Sequence, residues 1–132
     1  MDVASKGQLE SALVDFKPDI IVNTVALTNV DACESESDSA YALNVQSAQD
    51  AAACARNLGA KLVHISTDQL FDGVRANLTE DEAPHPLNEY GRTKALAEKA
   101  VLEEDPSALV LRTNFYGWGA AGRVSFSDWI IR

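Results

Sequence analysis

The 132 residues are the length of one domain, enough to bury one core but not two. With 46% hydrophobic residues, 23% charged residues and a net charge of −9, the composition suits a globular protein and argues against a nucleic-acid partner. The 11 Lys and Arg are scattered without a basic patch, and no apolar run is long enough to span a membrane.

In chain order, "SKGQLESALVDFKPD" (5–19) places Ser5 and Gln8 in capping-box spacing, with Leu9, Leu13 and Phe16 along one helical stripe. Lys17-Pro18 ends that helix. "DIIVNTVA" (19–26) is a β-branched apolar run without alternation, which predicts a strand covered on both faces. An acidic loop follows, and then a long helix over 38–58, with Tyr41, Val45, Ala48, Ala52 and Ala55 on one side and Gly59 as its stop. "AKLVHIST" (60–67) reads as a second buried strand, and 68–88 as a polar segment with Gly73, Pro84 and Pro86. A helix over 89–104 ends at Asp105-Pro106, and "SALVLRT" (107–113) is a third strand.

Strands alternating with helices predict a doubly wound α/β fold with a parallel sheet, the 60–66 strand lying in the middle. Ligands in such sheets sit beyond the carboxyl ends of the strands, so 23–28, 66–73 and 112–119 are the candidate floor of a site. Gly117, Gly119 and Gly122 satisfy G-x-G-x-x-G, but they stand several residues beyond the strand and no acidic ribose partner follows them. They read as a glycine loop. His64 and His85 are too far apart to suggest a metal site, and no metal is expected. Cys33 and Cys54 lack the spacing of a thiolate cluster and fit a reducing cytoplasm.

Tyr90 and Lys94, four residues apart in "LNEYGRTKALAEK", fall on one helical face. A phenol with a pKa of about 10 is a poor acid–base group at neutral pH. An ammonium ~4 Å away, at an effective dielectric near 20, contributes up to ~4 kcal/mol and lowers the phenol pKa by as much as ~3. Thr67, at the end of the preceding strand, adds a hydroxyl aimed at the same substrate oxygen. Y-x-x-x-K alone is a weak signal. A buried strand ending in Thr, a Pro-containing loop and a Tyr-Gly-x-x-Lys helix together are much stronger.

With "KPDIIVNTVALTNVDACESE", "ALNVQSA", "GAKLVHISTDQLFDG", "EDEAPHPLNEYGRTKALAEKAV" and "LRTNFYGWG" in this order, the chain resembles the extended short-chain dehydrogenase/reductase family. Within it, the similarity is to the dTDP-4-dehydrorhamnose reductase branch. The resemblance implies a partial Rossmann-like doubly wound sheet, the second half of an NAD(P)-binding domain. The family's first strand and Gly-rich loop are missing, and its C-terminal substrate domain is absent or only begun at about 114–132. It implies NADPH or NADH as cofactor, a nucleotide-sugar substrate, a cytoplasmic location and room for a homodimer. Tyr90 would give the proton to the sugar carbonyl, Lys94 would tune the phenol and hold the nicotinamide ribose, and Thr67 would polarise the substrate oxygen. Ala26, Leu27 and Thr28 match the segment lining the cofactor, Asp2 and Val3 match its adenine end, and Asp68 and Phe115 match substrate-side positions. Gln69 and Leu70 depart from the usual "STDYVFDG", and Phe115 stands where a Trp is common. The family also contains the non-catalytic regulatory subunit of methionine adenosyltransferase, which stays as the alternative. An epimerase or dehydratase fits less well, because Thr67 is followed by Asp68-Gln69 and not by the Asp-Glu pair of dehydratases.

Overall fold

The computed structural model describes residues 6–115 together with 117 and 130. Its elements are α1 (Lys6–Phe16), β1 (Ile20–Asn23), α2 (Val30–Ser35), α3 (Ser37–Tyr41), a π-helical turn (Ala42–Gln46) and α4 (Ser47–Leu58). β2 (Lys61–Thr67), a short 3-10 turn (Asp68–Leu70), α5 (Glu89–Glu104) and β3 (Leu109–Thr113) follow. The three strands pair in parallel in the order β1-β2-β3, with β2 central as the alternation predicts.

The register sets the two faces of the sheet. Ile21 pairs with Leu62, and His64 pairs with Val110. On this side Leu62 joins Ala48, Ala51, Ala52, Ala55, Ala97 and Val101 in the main core, with Leu9, Ile21, Ala108 and Val110 packed at its edge. Alanines on α4 let the helix backbone sit close to the strands, so small side chains still exclude water. Gly59, at φ 69°, closes α4, and the Ala60 N–H donates back to the Ala55 carbonyl at 2.9 Å.

The other face differs from the expectation for β1. Val22, Val63 and Leu109 lie in one row, and both Val22 (58% exposed) and Leu109 (51% exposed) face outward beside exposed Ile20 and Leu111. Ile20, Ile21 and Val22 of β1 are all apolar, yet the described helices pack on one side only, so Ile20 and Val22 remain open. Phe16 also leaves the expected stripe. It is the last residue of α1, before the chain turns through Lys17 at φ 52°, and is 80% exposed. The long helix expected over 38–58 is α3, the π-helical turn and α4 in succession, and the acidic loop before it holds α2. Val45, Ala48, Ala52 and Ala55 are buried as the stripe predicts, whereas Tyr41 is exposed. Among the described residues, no helix is long and apolar enough to cross a membrane.

Candidate functional site

The site is assembled where β2 ends. Thr67 is the last residue of β2, and its hydroxyl accepts the Gln69 N–H at 3.2 Å and donates to Asp68 Oδ1 at 3.4 Å. This pairing turns the chain sharply and holds the hydroxyl at the strand end. Asp68 Oδ2 accepts from Asn114 Nδ2 at 3.2 Å, tying the turn to the segment after β3. α5 starts at an Asn88 cap whose Oδ1 accepts the Gly91 N–H at 2.7 Å. Gly91 is where helix and turn meet: a Cβ there would overlap the Gln69 carbonyl oxygen and stand 3.0 Å from Pro86 Cβ. The absent side chain lets α5 bring Tyr90 and Lys94 up to Thr67.

A cleft of about 210 Å³ results, lined by residues after all three strands. Thr24, Ala26 and Thr28 come from the β1 exit, Ser66, Thr67 and Gln69 from the end of β2, and Thr113, Asn114 and Phe115 from β3. Tyr90 and Lys94 complete the wall. Larger apolar hollows elsewhere, such as the one between α1 and β1, lack this convergence of hydroxyl, phenol and amine.

The electrostatics depart from the sequence-based expectation. Tyr90 is buried and its phenol is raised above its ordinary range, chiefly by burial. A hydrogen bond with Thr67 opposes that rise, while Cys33 and Asp68 add to it. Lys94 does not depress the phenol. Its Nζ is turned into the sheet, donating to the Ile65 carbonyl at 2.7 Å and lying 3.4 Å from His64 Nε2. Burial pulls the Lys94 amine down to about 8, with Glu98 opposing. His64 is wholly buried and is brought down to about 4, first by burial and then by Lys94, so it is neutral at pH 7. Ser66, also in the cleft wall, has a buried Oγ with no hydrogen-bond partner among the described residues.

The remaining sequence candidates fall in three places. Asp68 and Phe115 are both exposed, and of the two Phe115 lines the cleft. Ala26 and Thr28 line the cleft, whereas the Leu27 side chain packs with Cys33, Ala40 and Tyr90 in a second small core. Asp2 and Val3 lie outside the described residues, as do Gly119 and Gly122. His85 is exposed, and among the described residues no group of three or more His, Cys, Asp or Glu could hold a metal.

Three supporting residues were not singled out from the sequence. Asn44, fully buried in the π-helical turn, accepts the Leu27 N–H at 2.6 Å and donates to the Leu27 carbonyl at 3.2 Å and to Thr93 Oγ1 at 2.9 Å. It fastens the β1 exit to α5. Glu98 and Arg112 join α5 to β3 through contacts of 2.8, 3.1 and 3.2 Å. Arg112 also lies over the Phe71 ring at 5.4 Å and donates to the Glu80 carbonyl. A buried Asn in a helix and an Arg in a strand are polar residues out of place, and that was the available signal.

A family model described as the RmlD substrate binding domain matches residues 1–125. The chain belongs to this family. It is 37% identical over 116 residues to a dTDP-4-dehydrorhamnose reductase of Aggregatibacter actinomycetemcomitans, covering 87% of this chain and 40% of that relative. It is also 46% identical over 98 residues to methionine adenosyltransferase 2 subunit beta of Rattus norvegicus, covering 74% of this chain and 29% of the relative. Among solved structures, dTDP-4-dehydrorhamnose reductase from Bacillus anthracis in complex with NADP superposes with a TM-score of 0.81 at 35% identity, over 85% of this chain and 40% of that one. The parallel sheet of this RmlD-family chain is therefore the Rossmann-like sheet of those reductases.

Proposed function

We propose that the complete protein reduces a nucleotide-linked 4-keto sugar of the dTDP-4-dehydrorhamnose type, using NADPH or NADH. The chain spans 40% of the length of its reductase relative, so the reading concerns the protein as a whole. In it, this chain forms the second half of the nucleotide-binding domain. The observation that carries the reading is the convergence of Thr67, Tyr90 and Lys94 on one cleft.

The cleft residues fit a nicotinamide cofactor. The orphaned Ser66 Oγ, the Lys94 amine and the small Thr24, Ala26 and Thr28 side chains leave polar atoms and room on one wall. At about 210 Å³ the cleft falls below the range of roughly 300–1,000 Å³ of complete ligand sites, so it would receive one end of the cofactor. Bound there, the cofactor supplies the hydride that reaches the carbonyl carbon. The Tyr90 hydroxyl gives its proton to the carbonyl oxygen as the C=O bond becomes C–OH. Burial raises the Tyr90 pKa, so the phenol holds its proton until the carbonyl oxygen gains negative charge. Thr67 orients that oxygen, and Lys94 binds the ribose hydroxyls and recharges the phenol.

The test is oxidation of NADPH or NADH by the complete protein with dTDP-4-dehydrorhamnose and related 4-keto sugar nucleotides, in wild type and Tyr90→Phe. Turnover that falls on the order of 10²-fold or more in the variant, with cofactor binding kept, supports the assignment. The 46% identity to the methionine adenosyltransferase subunit supports a second reading, a regulatory partner of that enzyme. Cofactor binding without turnover of any keto sugar, together with capture of a methionine adenosyltransferase catalytic subunit, would favour it.

A further inference from the structure

Behind the cleft, a buried line of polar groups runs from β1 through β2 to α5. Asn23 (6% exposed), His64 (0%) and Lys94 (2%) are side by side in the sheet–helix interface. Asn23 Oδ1 accepts the Val25 N–H at 3.1 Å, which fixes the orientation of its amide. A flipped amide would set an NH2 group against that N–H. The Asn23 NH2 therefore faces His64 Nδ1, at 3.2 Å, as a donor. A ring nitrogen that accepts a hydrogen bond carries no proton, so a neutral imidazole in this place carries its proton on Nε2. Nε2 lies 3.4 Å from Lys94 Nζ.

We propose that Asn23 and His64 form a positioning relay for Lys94: Asn23 holds His64 as the neutral Nε2–H tautomer, and that N–H, aimed at Nζ, opposes an ammonium turned into the sheet. A neutral Lys94 amine accepts from Nε2–H with its lone pair and keeps its own donation to the Ile65 carbonyl. A protonated Lys94 has no lone pair for Nε2–H and meets a donor there. Its remaining N–H groups gain more by pointing towards the cleft. The relay thus couples the charge of Lys94 to the direction in which it points. The titratable and charged groups around it are Tyr90 and Glu98 on α5, with Glu98 held by Arg112 of β3. The fall of the lysine to about 8 agrees with this geometry. Any catalytic consequence rests on the reductase reading above, whereas the tautomer does not.

The test uses the complete protein labelled with ¹⁵N and ¹³C. Long-range ¹H–¹⁵N imidazole spectra at pH 7 identify the proton-bearing nitrogen of His64, and the Lys94 Cε shift follows its titration. The expected result is a protonated Nε2 and a bare Nδ1. Asn23→Asp replaces the amide donor by a carboxylate that accepts from Nδ1–H, which inverts the tautomer and turns the Nε2 lone pair towards Lys94. His64→Gln adds no charge and can present an amide oxygen to Nζ. Both variants are expected to raise the proton affinity of Lys94 about tenfold or more, equivalent to one pKa unit. The alkaline limb of kcat/KM should move with it. A protonated Nδ1 or an imidazolium in the wild type overturns the proposal, as does a Lys94 titration unmoved in both variants. Should no keto sugar be reduced while the tautomer and the titration shifts appear, the relay stands and the reductase reading fails.

Discussion

Replacing Gly91 by Ala sets two effects of opposite sign against each other. Gly91 is the third residue of α5, where Ala is favoured over Gly by ~1 kcal/mol on helix propensity alone. Against this, the new Cβ would overlap the Gln69 carbonyl oxygen and meet Pro86 Cβ at 3.0 Å. Neither neighbour can rotate away, because one is backbone and the other a proline ring. Overpacking of this kind costs ~1–3 kcal/mol. Because the overlap is with backbone, the cost lies in the upper half of that range, so the steric effect wins and a net loss of ~1–2 kcal/mol is expected. With a urea m-value of ~1–3 kcal/mol/M, the unfolding midpoint of the complete protein should fall by about half a molar or more at unchanged slope. Turnover should fall with it, because relief of the overlap moves Tyr90 away from Thr67, and a misplacement of ~1 Å can cost on the order of 10²-fold. A midpoint that rises would mean that propensity dominates, and would refute the view that Gly91 is required for the close approach of helix and turn.

Thr67→Val should lower turnover less than Tyr90→Phe, and Lys94→Ala should weaken both turnover and cofactor binding; steady-state kinetics with cofactor titration separates these outcomes. Glu98→Gln should cost ~1–3 kcal/mol in chemical denaturation, below the ~3–5 kcal/mol of a fully buried pair because the Arg112 side chain keeps 25% of its exposure. His64 titrates near 6.5 when unfolded and near 4 in the fold, so its contribution is complete above pH 6.5 and is lost as pH falls towards 4. That acid limb, of the order of 3 kcal/mol, should flatten in His64→Phe when stability is measured against pH.

The strands and the order of the sheet were legible because their signals are local: β-branched runs, Gly59 as a stop, and Asp105-Pro106 as another. The assembly of the cleft could be read too, since a parallel sheet delivers every strand end to the same side. The direction of Lys94 could not. Helical spacing gives the face a side chain leaves from, but its four-carbon stem is free to reach the Ile65 carbonyl instead of the phenol. The exposure of Val22 was hidden for a related reason. An apolar run predicts burial on both faces, whereas actual burial depends on which helices arrive. Asn44 escaped because a single polar residue inside a helix carries no periodic signal, and its partners lie 17 and 49 residues away in sequence.

The π-helical turn that carries Asn44 also adjusts the angular phase of the helix. Each α-helical residue advances by roughly 100° around the axis, so one residue added or removed swings everything beyond it by about that angle. Ala42–Gln46 absorbs such an offset within one wide turn. Upstream, Ala40 keeps its place beside Tyr90, and downstream, Ala48, Ala52 and Ala55 keep theirs against the sheet. Deleting one residue from this turn would remove the offset itself and restore regular winding with both flanks in phase, at the cost of the wide turn that presents Asn44. Adding one more would force a choice: either the alanines stay seated and α3 rotates away from α5, or α3 stays and α4 presents the wrong side to β2. Point substitutions here are local events, whereas a further added residue is felt along the whole helix.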